Sequence, residues 1–95
     1  MIPTHRIPTH PGKILKEEFL DELGISQVAF AEHIQVPVQR INEIVRGKRG
    51  VTSETAWLLS LALDTTPEFW LNLQANYDLA LHRPEKTIQK ISMAS

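Results

Sequence analysis

Cysteine is absent from all 95 residues, so neither a disulfide framework nor a thiolate metal site can form, and nothing asks for an oxidising compartment. No stretch approaches the roughly 20 apolar residues of a membrane span. The start, MIPTHRIPTHPGK, places prolines and histidines where a secretion signal needs an apolar run. A soluble, cytoplasmic protein is the expectation, and the length allows one domain with one core. Catalytic fingerprints are missing too: there is no nucleophile elbow, phosphate loop or cofactor motif. His5, His10, His33 and His82 form no helical i, i+4 pair and have no cysteine beside them, so neither a metal site nor a cofactor is expected. The paired carboxylates Glu17-Glu18 and Asp21-Glu22 fit a solvated helix face better than an acid/base pair. On these grounds the chain is not expected to be an enzyme.

Charge is nearly balanced, with a net of −1, but it is strongly segmented. Residues 1–16 carry Arg6, Lys13 and Lys16 and no acid, whereas residues 17–32 carry Glu17, Glu18, Asp21, Glu22 and Glu32 and no base. The sign reverses over residues 33–53, where Arg40, Arg46, Lys48 and Arg49 face only Glu43, and again over 54–82, where Glu54, Asp64, Glu68 and Asp78 have no Lys or Arg among them. Basic and acidic faces are expected on one small body.

Ile2-Pro3-Thr4-His5 recurs as Ile7-Pro8-Thr9-His10, a proline-bearing tandem too short for a solenoid, which predicts an extended arm over residues 1–10. Pro11 then opens a helix in which Ile14, Leu15, Phe19 and Leu23 recur at helical spacing up to a left-handed cap at Gly24. Ser26 caps a short second helix with Val28, Phe30, Ala31 and Ile34 on its apolar side. Pro37, at a first helical position, opens a third, with Ile41, Ile44 and Val45 inward and Gly47 as its stop. Thr52 or Ser53 caps a fourth helix running to about Leu63, apolar nearly all round and therefore expected to be buried on most sides. Thr66-Pro67-Glu68 gives cap, first-turn proline and first-turn acid for a fifth helix to about His82. Residues 83–95 form a loose tail in which Ile88 and Ile91 dock weakly. The fold class is all-α.

Two short helices joined by a tight turn, the second polar outside, meet the demands of a helix-turn-helix. Ala31 is small where the helices cross, and Phe30, Ile34, Val36, Ile41 and Ile44 supply the buried contacts. The turn has Gln35 where glycine is usual, a residue able to enter the left-handed region at modest cost. With Ile41, Ile44 and Val45 inward, the outward face consists of Val38, Gln39, Arg40, Asn42, Glu43 and Arg46. A major groove about 12 Å wide admits such a helix. Gln and Asn pair with adenine, Arg with guanine, Glu with cytosine N4, and Val38 touches a thymine methyl. Gln27, Lys48 and Arg49 are placed for phosphates. Periodicity alone leaves an ordinary solvated helix surface as an equal alternative.

The fifth helix carries two apolar stripes at 3.6 residues per turn. Phe69, Trp70, Leu73, Tyr77, Ala80 and Leu81 form the broad one, assigned to the monomer core. Leu71, Ala75 and Leu79 form the other, assigned to a two-fold partner, with Asn72 and Asn76 on one side and Gln74 and Asp78 on the other.

Residues 26–50 resemble the XRE or phage-repressor type of helix-turn-helix. The stretches HPGKILKEEFL at 10–20, RINEIVRGKRGVT at 40–52 and TPEFWLNLQANYDL at 66–79 extend the resemblance to the HigA-type antitoxins from His10 to Leu79. The resemblance implies a five-helix, lambda repressor-like domain over 11–82 with a C-terminal dimerisation helix. It further implies an operator-binding homodimer that represses its own operon and neutralises a HigB-type toxin, a RelE-like mRNA-cleaving enzyme. The acidic stripe at 17–32 is then either a simple solubilising face or an electrostatic lure for a basic toxin. A freestanding regulator of the same fold without a toxin is the alternative function, and a small hydrolase with a Glu/His site is the alternative from another class.

Overall fold

Proline has no N–H to leave unbonded, so Pro11 begins the first helix without penalty. The Nδ1 of His10 accepts the Gly12 N–H at 2.9 Å and completes the cap. In the computed structural model, which describes residues 7–92, helix α1 runs unbroken over 11–23. It comprises an α-helical turn Pro11–Ile14, a π-helical stretch Leu15–Leu20 and a closing turn Asp21–Leu23. The i→i+5 bonding of the π stretch brings Leu15 and Leu20 onto one face, and both are buried. The other helices are α2 (Gln27–Ile34), α3 (Val38–Val45), α4 (Ser53–Leu63) and α5 (Pro67–Leu81). No strand occurs among the described residues, so the all-α, five-helix expectation holds.

Hydroxyl caps start three of these helices. Ser26 Oγ accepts the Ala29 N–H at 3.0 Å, Thr52 Oγ1 that of Thr55 at 3.3 Å and Thr66 Oγ1 that of Phe69 at 3.1 Å. Thr52, not Ser53, is therefore the cap of α4. Pro37 precedes α3 as its extended N-cap rather than occupying the first helical position. Four helix ends turn through a left-handed residue: Gly24 (φ 66°), Gln35 (φ 62°), Gly47 (φ 74°) and Asp64 (φ 56°). After each of the first two, a 6→1 bond closes the reversal, Ile25 N–H to Leu20 O at 3.1 Å and Val36 N–H to Ala31 O at 3.0 Å. The reversal at Gly24 turns Ile25 inward, which is why Leu23, expected inside, is instead 65% exposed.

One core gathers Leu15 and Leu20 from α1, Phe30, Ala31 and Ile34 from α2, Ile41 and Ile44 from α3, Val51, Ala56 and Leu59 from α4 and its approach, and Trp70 from α5. Trp70 is fully buried, and its indole N–H donates to Thr65 Oγ1 at 2.8 Å, so the ring enters the core with its polar atom satisfied.

Several expectations are corrected. Helix α4 buries Thr55, Ala56, Leu59 and Ser60, yet Trp57 and Leu61, one turn apart, are 57% and 76% exposed. The helix packs on α5 and α2 by one side, and an all-round apolar pattern cannot say which side is left over. Val28 is exposed on α2 because the inward side is already filled by Phe30, Ala31 and Ile34. On α5 the broad stripe divides: Trp70, Leu73 and Tyr77 turn inward, whereas Phe69, Ala80 and Leu81 remain exposed. Phe69 lies edge-on to Phe19 and Trp70 at the rim of the core. Leu71, assigned to a partner surface, is half-buried against the core, while Ala75 and Leu79 are exposed. Ile88 and Ile91 stand in solvent and do not dock. The first Ile-Pro-Thr-His unit, with His5, lies outside the described residues, as do residues 93–95; the second unit leads without regular structure into α1. No helix among the described residues is long and apolar enough to cross a membrane.

Candidate nucleic-acid interface

The second helix of a helix-turn-helix must be pressed against the body by one face so that the other can reach outward. In α3, Ile41 and Ile44 are completely buried and Val45 is half-buried; Val38, Gln39, Asn42 and Arg46 are exposed, and Arg40 and Glu43 are half-buried. Gln35 takes the left-handed conformation the turn requires, and Ala31 is buried where α2 meets α3.

The half-burial of Arg40 and Glu43 has a cause. Arg40 Nη1 lies 3.4 Å from Glu54 Oε1 on α4, and Arg49 Nε donates to Glu43 Oε1 at 2.9 Å. These pairs turn both residues partly back toward the chain and leave Val38, Gln39, Asn42 and Arg46 as the freely presented face. Surface ion pairs are worth at most about 1 kcal/mol, so a phosphate or base edge competes with them readily. Arg46 and Lys48 form no ion pair among the described residues. Lys48 and Arg49 are exposed in the loop, and Gln27 is half-buried at the start of α2, beside the N-terminal N–H groups that suit a phosphate.

Sequence reasoning missed two supports. Gly12 is buried where the first turn of α1 crosses α3: a Cβ there would sit 1.7 Å from the Ile44 carbonyl oxygen and 3.0 Å from Val45 Cα. Only glycine lets the two backbones approach this closely. Its signal in the sequence was the Pro-Gly pair at the helix start, which reads equally well as a simple cap. The second support is Gln74 on α5, whose Oε1 accepts the Val51 N–H at 2.8 Å and whose Nε2 donates to Asp78 Oδ1 at 2.9 Å. No local pattern announces a contact spanning 23 positions. His10 adds a third tie, its ring edge-on to Tyr77 at 4.8 Å. Burial pulls the imidazole below its ordinary pKa, and the nearby Asp78 carboxylate opposes that shift.

Glu17, Glu18, Asp21 and Glu22 of α1 are all exposed, and of these four only Asp21 is paired among the described residues, to Lys16 at 3.0 Å. Exposed carboxylates thus cluster on α1, and exposed basic residues on the loop after α3.

Comparison with known proteins agrees with this geometry. A helix-turn-helix family model matches residues 15–70. Virulence-associated protein I of Dichelobacter nodosus is 44% identical over 77 residues, covering 81% of this chain and 71% of that protein. Antitoxin HigA-1 of Vibrio cholerae is 42% identical over 80 residues, covering 83% and 74%. Among solved structures, the Pseudomonas aeruginosa antitoxin HigA with the higBA promoter is 44% identical with a TM-score of 0.76, over 78% of this chain and 80% of that one. The antitoxin GraA in complex with its operator superposes with a TM-score of 0.85 at 38% identity, over 98% of this chain and 100% of that one. The buried crossing, the left-handed turn and the outward polar helix all lie within residues 15–70, and the chain belongs to the helix-turn-helix family, in the company of the HigA-type antitoxins.

Proposed function

We propose that this protein is the antitoxin of a type II toxin–antitoxin pair, a DNA-binding autorepressor that also neutralises a RelE-like, mRNA-cleaving toxin of the HigB type. It acts in the cytoplasm by binding alone. The observation that carries the reading is the likeness, along nearly the whole chain, to an antitoxin in complex with its operator. The α3 face supports it, because Gln39, Asn42 and Arg46 bear the amides and guanidinium that read purines, while Val38 suits a thymine methyl. Arg40 and Glu43 join them when their intramolecular pairs yield. Gln27, Lys48 and Arg49 position the backbone.

The reading includes a homodimer on a palindromic operator, with the domain at 11–82 as the working unit between arm and tail. Two recognition helices about 34 Å apart reach successive half-sites on one face of the duplex. Ala75 and Leu79 are the exposed apolar part of the α5 row, and small Ala75 permits close approach of a second helix; Leu71 contributes its outer edge. The exposed carboxylates Glu17, Glu18, Asp21 and Glu22 are the surface we assign to a basic toxin's approach.

The test is a titration of the purified protein with duplex from upstream of its own gene, paired with co-expression alongside any adjacent small basic protein. Specific binding that falls steeply with salt, together with relief of that neighbour's toxicity, is the expected result. Specific binding with no toxin to relieve identifies a freestanding regulator. Absence of specific binding removes the reading altogether.

A further inference from the structure

The loop 46–50 carries the basic residues Arg46, Lys48 and Arg49, and a flexible loop would lose much of their value in ordering them on a phosphate backbone. Its near end is bound to α3: Gly47 N–H donates to Ile44 O at 3.0 Å, and Lys48 N–H and Arg49 N–H both donate to Glu43 O, at 2.8 and 3.2 Å. Its far end is bound by one side chain, Gln74. The carboxamide accepts the Val51 N–H at 2.8 Å, and its atoms lie 3.1–3.2 Å from where a Cβ on Gly50 would project, so it lies tight over the loop backbone. The bond from Nε2 to Asp78 Oδ1 fixes which way the amide faces and keeps its oxygen aimed at Val51. One turn along α5, Tyr77 meets His10, whose ring carbons lie 3.9 Å from a Cβ position on Gly47.

We infer that Gln74 is a positioning residue for DNA-backbone contact: it touches no DNA itself, but with Asp78 it clamps Gly50 and Val51 so that Lys48 and Arg49 are presented in a fixed arrangement. The inference rests on the DNA-binding reading above. It assigns to α5 a role in affinity that is separate from any pairing of α5 with a second copy, because Gln74 and Asp78 lie beside the Leu71, Ala75 and Leu79 row.

The experiment titrates operator duplex and an unrelated duplex at several salt concentrations with the wild type, Lys48→Ala, Gln74→Leu and the exchange pair Gln74→Glu with Asp78→Asn. Lys48→Ala, the direct control, flattens the log–log salt slope by about one unit. Gln74→Leu is expected to weaken both duplexes by a similar factor, about tenfold, and to flatten the slope by about one unit as well. Amide hydrogen exchange at Val51 should accelerate in the same variant. The exchange pair keeps the net charge, returns an acceptor to the Val51 N–H and restores an amide–carboxylate bond, so it should recover affinity, slope and Val51 protection. A merely structural role would lower thermal stability without moving the salt slope. Gln74→Leu that keeps wild-type affinity and slope while Lys48→Ala behaves as stated overturns the inference alone, and so does an exchange pair that refolds but fails to recover. A wild type with no affinity for either duplex overturns the DNA-binding reading and this inference with it.

Discussion

Gly12→Ala is the substitution in which local and tertiary physics pull in opposite directions. On helix propensity alone, alanine should stabilise α1 by about 1 kcal/mol relative to glycine. The structure reverses the sign. The added Cβ would stand 1.7 Å from the Ile44 carbonyl oxygen and 2.5 Å from its carbon, against the roughly 3.5 Å at which such atoms pack comfortably. Both obstacles are backbone atoms of α3, so no rotamer change gives way, and α1 must retreat by more than an ångström. Overpacking of this kind costs about 1–3 kcal/mol, occasionally more, and the rigidity of the obstacle places Gly12→Ala at the upper end. A loss of about 3 kcal/mol lowers the melting temperature of a domain this size by roughly 12–24 °C. Circular dichroism melting measures it directly. Operator affinity, measured well below the melting point, should fall too, because the retreat of α1 removes the support against which α3 is packed. An unchanged or raised melting temperature would mean that the close approach of α1 and α3 is not a feature of the folded protein.

Three other outcomes are expected. Ala75→Glu with Leu79→Glu, at exposed positions, should give a helical monomer by sedimentation that binds operator weakly; a dimer that survives moves the interface to the exposed Trp57 and Leu61 of α4. For His10 the folded pKa lies below the unfolded value of about 6.5, so the unfolded chain binds the proton more tightly. Its contribution to stability is therefore full above about pH 6.5 and is lost as pH falls from there through the lowered folded value. His10→Asn, which keeps a capping acceptor, should melt with a shallower dependence on pH below about 6.5, and identical slopes would assign that dependence to other groups. Reversing Glu17, Glu18, Asp21 and Glu22 to lysine should slow association with a basic toxin chiefly at low salt, since a Debye length of about 10 Å at 0.1 M screens steering beyond it. An association rate that does not change at low salt leaves the stripe as a solvated face.

Features encoded by neighbours in the chain were readable from the sequence. Ser26 and Thr66-Pro67 announce helix starts, Gly24 and Gly47 announce stops, and the buried positions of the helix-turn-helix follow from apolar spacing. Gln35 was readable as the turn residue by its place between two helices, although its side chain does not favour positive φ. What escaped depends on contacts between distant segments. The π stretch that turns Leu20 inward leaves no mark in a 3.6-residue pattern, and the inward turn of Ile25 displaces Leu23. In α4 nearly every side chain is apolar, so nothing local distinguishes Leu59, which is buried, from Leu61, which is not. Leu71 sat on the cleaner apolar row of α5 yet half of it belongs to the core. Gly12 and Gln74 act through the backbones of α3 and the loop 46–50, and polar or tiny residues give no periodic signal.

The central claim is that α3 reads base edges, and Gln39 tests it most directly because it is exposed and its side chain makes no hydrogen bond among the described residues. Affinities of wild type and Gln39→Ala should be measured for an operator series in which each base pair of a half-site is replaced in turn. The account predicts that Gln39→Ala loses about 1–3 kcal/mol of discrimination at one or two adjacent positions while the rest of the profile keeps its shape. A profile that falls uniformly, or does not change, would contradict the placement of this helix in the major groove.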